Sequence, residues 1–170
     1  MAGAKAEYPP LLPSGFHTMT LEGLHQIAVE SPRFKLSSTR AQLMRHLWTV
    51  AGCICRWQIY GDLWIDGSFL TEKIDPDDVD FMIVMPGDFA NKWTHEQRQI
   101  IGWFCEDKTE PAKAAFQCDS YALYVVADHV DPNYPDFLYL DAYWKKQFGV
   151  SRAGVEKGMA LVRIFAGAFA

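Results

Sequence analysis

The chain has 170 residues, of which 49% are hydrophobic and 14% aromatic, and a net charge of −5. This length and composition predict one domain with a buried core, in which the Ala- and Pro-containing residues 1–13 are irregular. No apolar run is long enough to cross a membrane, and the N-terminus lacks the apolar region of a signal peptide.

The four cysteines show no spacing typical of a metal site. Cys53 and Cys55 are separated by a single residue, which is too close for an ordinary structural zinc pair. We therefore predict that these two, with Cys105 and Cys118, are reduced thiols in a cytoplasmic protein.

Charge is distributed unevenly along the chain. Residues 31–61 carry five basic residues and no acidic one, whereas residues 62–141 carry seventeen acids against five bases. Residues 142–170 are again basic, with five Lys or Arg and one Glu. An acidic middle between two basic ends can form a groove for a polyanion such as a nucleoside triphosphate or RNA. The alternative is a solvated surface on which the charges interleave after folding.

The first third of the chain indicates two helices. Thr20 can cap a short helix over residues 21–29. Ser38 or Thr39 can cap a longer helix that reaches Gly52 and presents apolar residues at helical spacing. These apolar residues are Leu43, Leu47, Val50 and Ile54.

The middle of the chain indicates two strands joined by a polar loop. Residues 63–66 form a short strand, and Gly67-Ser68 begin one helical turn. Residues 75–77 read as a loop. The nearly unbroken apolar run 79–85 is typical of a strand that is covered on both faces.

Thr94 and Gln97 have the spacing of a capping box, which predicts a helix over residues 95–107. Residues 119–127 are rich in Tyr and Val and predict a third strand. A helix and a final strand follow, at residues 136–148 and 158–165. Composition and element order alone predict an α/β or α+β fold.

Two carboxylates mark the candidate site. Asp78 and Asp80 stand at positions i and i+2 at the head of a strand and should point to the same face. Two like charges so close are unfavourable unless a cation lies between them. Oxygen ligands suit Mg²⁺ or Mn²⁺. Gly67 lets the backbone approach a ligand, and Ser68 adds a hydroxyl that can contact phosphate.

This arrangement resembles the nucleotidyltransferase superfamily of the DNA polymerase beta type. The superfamily signature is Gly with Ser or Gly, a spacer, and then Asp, a hydrophobic residue and Asp or Glu. Here it reads as residues 66–68, nine intervening residues, and residues 78–80, although Asp66 stands where the family has an apolar residue.

More narrowly, the chain is similar to a small bacterial and phage family within that superfamily. That family pairs a Leu-Pro-x-Gly-x-His-x-x-Thr segment, here residues 12–20, with a Gly-Ser-Phe-x-Thr-x-Lys-x-x-Pro-x-Asp-x-Asp core, here residues 67–80. The similarity spans roughly residues 10–127. It implies the minimal nucleotidyltransferase fold, a mixed β-sheet flanked by helices.

The resemblance also implies roles for individual residues. Asp78, Asp80 and a third carboxylate from the neighbouring strand would hold two Mg²⁺ or Mn²⁺ ions and catalyse the transfer. Asp119 is our choice for the third position, because Asp128 lies at the far end of that strand. The alternative for each is an ordinary loop, cap or strand-start aspartate. Gly67, Ser68, Thr71, Lys73 and Arg152 are assigned to nucleotide binding.

We expect cations from the two basic ends to meet the acidic site, because the middle segment alone would repel a triphosphate. The candidates are Arg40, Arg45, Arg152 and Lys157. Trp144, beside two lysines, is a candidate for stacking on a base. Asp66 abuts Gly67 and would either orient the turn or contact the metal, and His17 receives no definite role.

The expected function is transfer of a nucleoside monophosphate from a triphosphate to a protein, RNA or small-molecule acceptor. Small enzymes of this fold often work in toxin–antitoxin or phage-defence pairs, so the resemblance also implies a protein partner. The alternative is a binding module that retains the fold without turnover and acts as an antitoxin-like or regulatory partner.

Overall fold

The computed structural model describes residues 6–106, 109 and 111–166, and it contains a five-stranded mixed sheet. The strands are β1 (Gly15–Thr18), β2 (Gly61–Asp66), β3 (Val79–Pro86), β4 (Cys118–Val125) and β5 (Gly158–Ile164). Their order across the sheet is β1-β5-β2-β3-β4. The outer pairs β1/β5 and β3/β4 are parallel, whereas β2 runs antiparallel to both its neighbours. The predicted class, a mixed sheet flanked by helices, is confirmed.

Six helices accompany the sheet in the described part of the chain. They are α1 (Leu21–Ala28), α2 (Arg40–Arg56), α3 (Gly87–Ala90), α4 (His95–Ile101), α5 (Pro111–Phe116) and α6 (Tyr134–Gly149). Single 3₁₀ turns cover Pro32–Phe34 and Ser68–Leu70, and a π-helical turn covers Gly102–Glu106. None of these helices is long and apolar enough to cross a membrane.

The predicted elements are present, with shifted ends. The second helix runs four residues beyond Gly52, because the apolar face that includes Ile54 still packs in the core. The helix predicted over 95–107 changes from α to π after Ile101, and residue 107 lies outside the described part. Sequence patterns did not predict β1, α3 or α5, which have only four to six residues each.

Two of the predicted caps are confirmed. The Thr20 hydroxyl accepts a hydrogen bond from the Gly23 amide at 3.1 Å. Thr94 and Gln97 form a reciprocal capping box. Their geometry satisfies amides that the first turn of a helix leaves without partners.

Thr39 holds the N-cap position of α2, as predicted, but its hydroxyl does not cap the helix. The Ser37 hydroxyl, rather than that of Ser38 or Thr39, accepts from the Arg40 amide at 3.2 Å. The Thr39 hydroxyl instead donates to the Pro76 carbonyl at 2.9 Å, which ties the start of the helix to the loop before β3.

The sheet is covered on both faces, as the apolar run of β3 predicted. One face packs in the main core, which includes Leu63, Phe81 and Val162 of the strands and residues of α1, α2 and α5. The other face packs against α6 through a smaller cluster of Trp64, Met82, Leu123, Phe148 and Met159. Side chains alternate along a strand, so Asp66, Asp80 and Asp119 point to this second face, at the sheet edge where β3 and β4 begin.

The N-terminal segment braces this edge of the sheet. Residues 6–13 form no helix or strand, but Pro10 pairs with Thr71 in an isolated bridge, and residues 1–5 lie outside the described part. The His17 ring Nε2 donates to the Pro13 carbonyl at 2.8 Å. A Cβ at Gly158 would lie 2.1 Å from the same carbonyl oxygen, so the segment crosses β5 in close contact. These contacts give His17 a structural role.

Candidate functional site

Strand register brings three aspartates into one row. Asp80 of β3 pairs with Asp66 of the antiparallel strand β2 and with Asp119 of the parallel strand β4. Neighbouring strands lie about 4.8 Å apart, so the three side chains stand side by side on one face. Asp78 immediately precedes β3, and it is close enough to the row for Lys113 Nζ to lie 3.8 Å from its Oδ2 and for its charge to act on Asp80. Four carboxylates therefore lie at one edge of the sheet, meaning here the side at which β2 ends and β3 and β4 begin.

The register decides between the two candidates for the third carboxylate. Asp119 lies beside Asp80, whereas Asp128 follows the far end of β4 and lies at the opposite edge of the sheet. Asp66, whose role was open between orienting the turn and contacting the metal, belongs to the acidic row.

Gly67 is in direct contact with Asp80. Its φ of +78° and ψ of −164° lie in a region open only to glycine. A Cβ at this position would lie 1.7 Å from Asp80 Oδ2, so the carboxylate occupies the space that any side chain would need. The glycine and the second aspartate of the motif are therefore required together by packing.

The turn after Gly67 is closed by hydrogen bonds to the Ser68 carbonyl. The Ser68 carbonyl accepts from the amide and the hydroxyl of Thr71, at 3.2 and 2.8 Å, which closes one 3₁₀ turn. The Ser68 hydroxyl itself makes no hydrogen bond to any described residue, so it can contact a ligand. The Thr71 hydroxyl is used inside the turn, and the Lys73 ammonium pairs with Asp77 at 2.6 Å.

Arg40 is not one of the cations that face the site, and this expectation is wrong. Its side chain is buried, at 1% exposure, and the guanidinium stacks 3.6 Å from the centre of the Phe34 ring. Burial lowers the pKa of Arg40 to about 10. The guanidinium donates to the backbone carbonyls of Ala28, Phe69, Thr71, Lys73 and Ile74. Arg40 thereby fixes the chain that follows the Gly67-Ser68 turn.

Two lysines contact the acidic row. Lys157, immediately before β5, lies 2.5 Å from Asp66 Oδ2, as expected for a cation from the C-terminal basic end. Lys113 of α5 lies 2.5 Å from Asp119 Oδ2 and 3.8 Å from Asp78 Oδ2. These two ammonium groups offset part of the charge of four carboxylates.

The other two predicted cations do not contact the carboxylates in the part of the chain that the structure describes. Arg45 is exposed on α2, and Arg152 is exposed in the turn between α6 and β5. The loop position predicted for Arg152 is confirmed, but the residue of that loop that contacts the site is Lys157.

Burial and crowding perturb the titration of the row. Burial, together with the neighbouring charges of Asp78, Asp119 and Asp66, raises the pKa of Asp80 to about 7, against the opposing effect of Lys157. Burial also raises the pKa of Asp66 to about 6, against the opposing effect of Lys157. Asp66 is almost fully buried, and its Oδ1 has no hydrogen-bond partner among the described residues.

The donor set fits a hard divalent cation in chemical type. It offers carboxylate oxygens, an excess of negative charge and a buried oxygen without a partner. In the described residues, however, no three His, Cys, Asp or Glu side chains are arranged so that they could hold a metal ion as they stand. The metal site of Asp78, Asp80 and Asp119 therefore stays a prediction.

Trp144 has a packing role in this structure. Its ring lies 4.5 Å from that of Tyr121 and 5.8 Å from that of Phe148, in the cluster under α6. Lys145 pairs with Asp141 rather than extending away from the helix.

Lys113 is the site residue that sequence reasoning missed. It lies in a six-residue helix whose only start signal is Pro111 in its first turn. A single lysine in so short a segment gives no periodic pattern. Lys113 is brought to Asp119, six residues later, because α5 is followed almost at once by β4. The sequence does not indicate this connection.

Comparison with known proteins identifies a family without assigning an activity. Residues 5–163 match the model of a family of unknown function, DUF6932, and the chain belongs to this family. No curated protein and no solved structure matches the chain.

Proposed function

We propose that this member of DUF6932 is a metal-dependent nucleotidyltransferase, which moves a nucleoside monophosphate from a triphosphate to an acceptor. The observation that carries the proposal is the row of Asp66, Asp80 and Asp119 on adjacent strands, with Gly67 against the Asp80 carboxylate. A turn of the kind that can bind phosphate, at Gly67, therefore lies beside a cluster of carboxylates that can bind a cation, at the same end of the sheet.

The proposed roles follow from these positions. Asp78, Asp80 and Asp119 hold Mg²⁺ or Mn²⁺, which when bound supplies charge stabilisation at the phosphoryl oxygens. The Ser68 hydroxyl and the backbone at Gly67 orient the triphosphate. Asp119, at the outer end of the row, accepts the proton of the attacking hydroxyl.

Lysines complete the electrostatic part of the proposal. A triphosphate brings several negative charges to an edge that already carries four carboxylates. Lys157 and Lys113 lie close enough to offset the negative charge of the carboxylates and of the incoming phosphates. Arg152, exposed in the loop that precedes Lys157, is the further candidate for phosphate contact.

We place the enzyme in the cytoplasm, because we interpret the four cysteines as reduced. The acceptor is a protein side chain, an RNA end or a small molecule. By the resemblance of the motif, a protein partner of the toxin–antitoxin or phage-defence kind fits the same proposal.

One observation favours a second candidate, a binding module without turnover. Lys113 and Lys157 already act as internal counter-ions for Asp78, Asp119 and Asp66. Such pairs can stabilise an acidic edge in the absence of a metal. A module of this kind would bind a triphosphate or a partner and release no pyrophosphate.

The two candidates are separated by a labelling experiment. Wild type, Asp80→Asn and Asp119→Asn are incubated with each triphosphate labelled at the α-phosphate, Mg²⁺ or Mn²⁺, and cell lysate. An enzyme transfers label and releases pyrophosphate, and both variants lose this. Triphosphate binding without release by the wild type would support the module. Neither binding nor release would reject the enzyme and a triphosphate-binding module.

A further inference from the structure

A pocket lies at the opposite edge of the sheet from the acidic row. It has a volume of about 490 Å³ and opens beyond the carboxyl ends of β3 and β4, between α3, the start of α4 and the loop that leads to α6. Six residues separate Asp80 from Pro86 along β3, which places the pocket about 20 Å from the acidic row at 3.3 Å per residue. Its volume is in the range of small-molecule sites, and the carboxyl ends of parallel strands are a common place for them.

The lining combines an aromatic wall with an excess of negative charge. The Trp93 and Tyr124 rings meet edge to face, with centres 6.1 Å apart. Three carboxylates, those of Asp88, Asp128 and Asp131, line the pocket against the single guanidinium of Arg98.

The aspartates in the loop are held in place by the backbone. Asp128 Oδ1 accepts from the Val130 amide at 3.0 Å, and Asp131 Oδ1 accepts from the Asn133 amide at 2.7 Å. Arg98 is turned towards the Asn91 carbonyl, to which it donates at 3.2 Å. At one side of the pocket Gly87 packs closely against the end of β4. A Cβ at Gly87 would lie 3.0 Å from the Val125 carbonyl oxygen.

We propose that this pocket is a second binding site, which takes a small protonated organic amine with a flat apolar body. An indole ring attracts a cation and packs against an apolar body. The Asp128 and Asp131 carboxylates, which accept from the amides of Val130 and Asn133, lose little further freedom when they accept from an ammonium group. An anionic ligand is disfavoured by the lining charge. The site is too far from the acidic row to serve the transfer reaction, so it does not depend on that function.

Tyramine and 4-hydroxyphenylacetate test the proposal, because they share a phenol body and carry opposite charges. Titration calorimetry of the full chain with each compound measures the affinity. We expect tyramine to bind at least tenfold more tightly than the carboxylate. Equal affinity for the two, preference for the carboxylate, or no binding of tyramine would overturn the proposal.

Variants locate the binding. Asp128→Asn removes the charge and keeps the Oδ1 that accepts from Val130, so it should fold normally and bind tyramine at least fivefold more weakly. Trp93→Ala should weaken binding by at least fivefold, and Trp93→Phe should retain most of it. Asp80→Asn, at the other edge, should bind like wild type. Loss in Asp80→Asn with retention in Trp93→Ala and Asp128→Asn would place the amine in the acidic row and overturn the proposal.

Discussion

Gly67→Ala tests whether the contact between the turn and Asp80 is as close as the structure has it. Two costs arise from one methyl group. The backbone must hold alanine at φ +78° and ψ −164°, which costs about 1–3 kcal/mol. The Asp80 carboxylate must also withdraw from 1.7 Å to an ordinary contact of 3.4 Å or more, which forces a poor rotamer at about 0.5–1.5 kcal/mol.

The expected sum is a destabilisation of about 3 kcal/mol. For a domain of this size that lowers the melting temperature by about 6–12 °C. Urea unfolding measures the free energy, with the slope on denaturant checked for two-state behaviour. Gly52→Ala is the matched control. It lies inside α2 with no atom within 4 Å of the added Cβ, so it should stabilise by about 0.5–1 kcal/mol.

A double-mutant cycle separates the two costs. In an Asp80→Ala background the carboxylate is gone and only a tight Cβ contact of 3.0 Å remains beside the backbone strain, so Gly67→Ala should cost about 1 kcal/mol less than in wild type. An unchanged cost would show that the carboxylate does not lie against Gly67. A Gly67→Ala variant as stable as wild type would refute both the contact and the strained turn.

Three further changes have predicted outcomes. Arg40→Lys replaces a guanidinium that donates to five carbonyls by a single ammonium group, so the free energy of unfolding should fall by at least about 2 kcal/mol. Arg45→Lys, on the same helix, should stay within about 0.5 kcal/mol of wild type. Equal effects of the two substitutions would refute the anchoring role of Arg40. Because the pKa of Asp80 is raised to about 7, above its unfolded value, the contribution of Asp80 to stability should be fully present below about pH 4 and be lost as pH rises through 7. Asp80→Asn should show a smaller fall in urea unfolding at pH 5 and pH 8, and an equal fall would place the titrating group elsewhere. Cys118 is buried and its thiol pKa is raised to about 12, so iodoacetamide should modify the partly exposed Cys53 and Cys55 before Cys118, which should react only on unfolding; early modification of Cys118, read by mass spectrometry, would contradict its burial.

The fold could be predicted where local patterns are strong. The apolar run that became β3 and the capping box of α4 are complete within a few residues, so their positions followed from sequence spacing. The strand β1 has only four residues, and it is held in place by pairing with β5, which lies about 140 residues later in the chain. No local pattern encodes a pairing over that distance.

The candidate site shows the same division. The i, i+2 spacing of Asp78 and Asp80 is enough to predict that the two carboxylates lie near each other, and the Asp78 charge does act on Asp80. Register was needed to place Asp66 and Asp119 on either side of Asp80, because pairing partners are set by the whole sheet. The prediction for Arg40 was wrong because a charged side chain is usually exposed to solvent. Arg40 is buried because the backbone carbonyls around it accept hydrogen bonds from its guanidinium.

A structure of the protein crystallised with Mn²⁺ and a non-hydrolysable nucleoside triphosphate tests the central claim most directly. Anomalous scattering locates Mn²⁺ independently of any assumption about the ligands. The proposed function predicts an anomalous peak coordinated by Asp80 with Asp78 or Asp119, and triphosphate oxygens at Gly67 and Ser68. Triphosphate bound elsewhere, or Lys113 and Lys157 still paired with the carboxylates and no peak at saturating Mn²⁺, would contradict it.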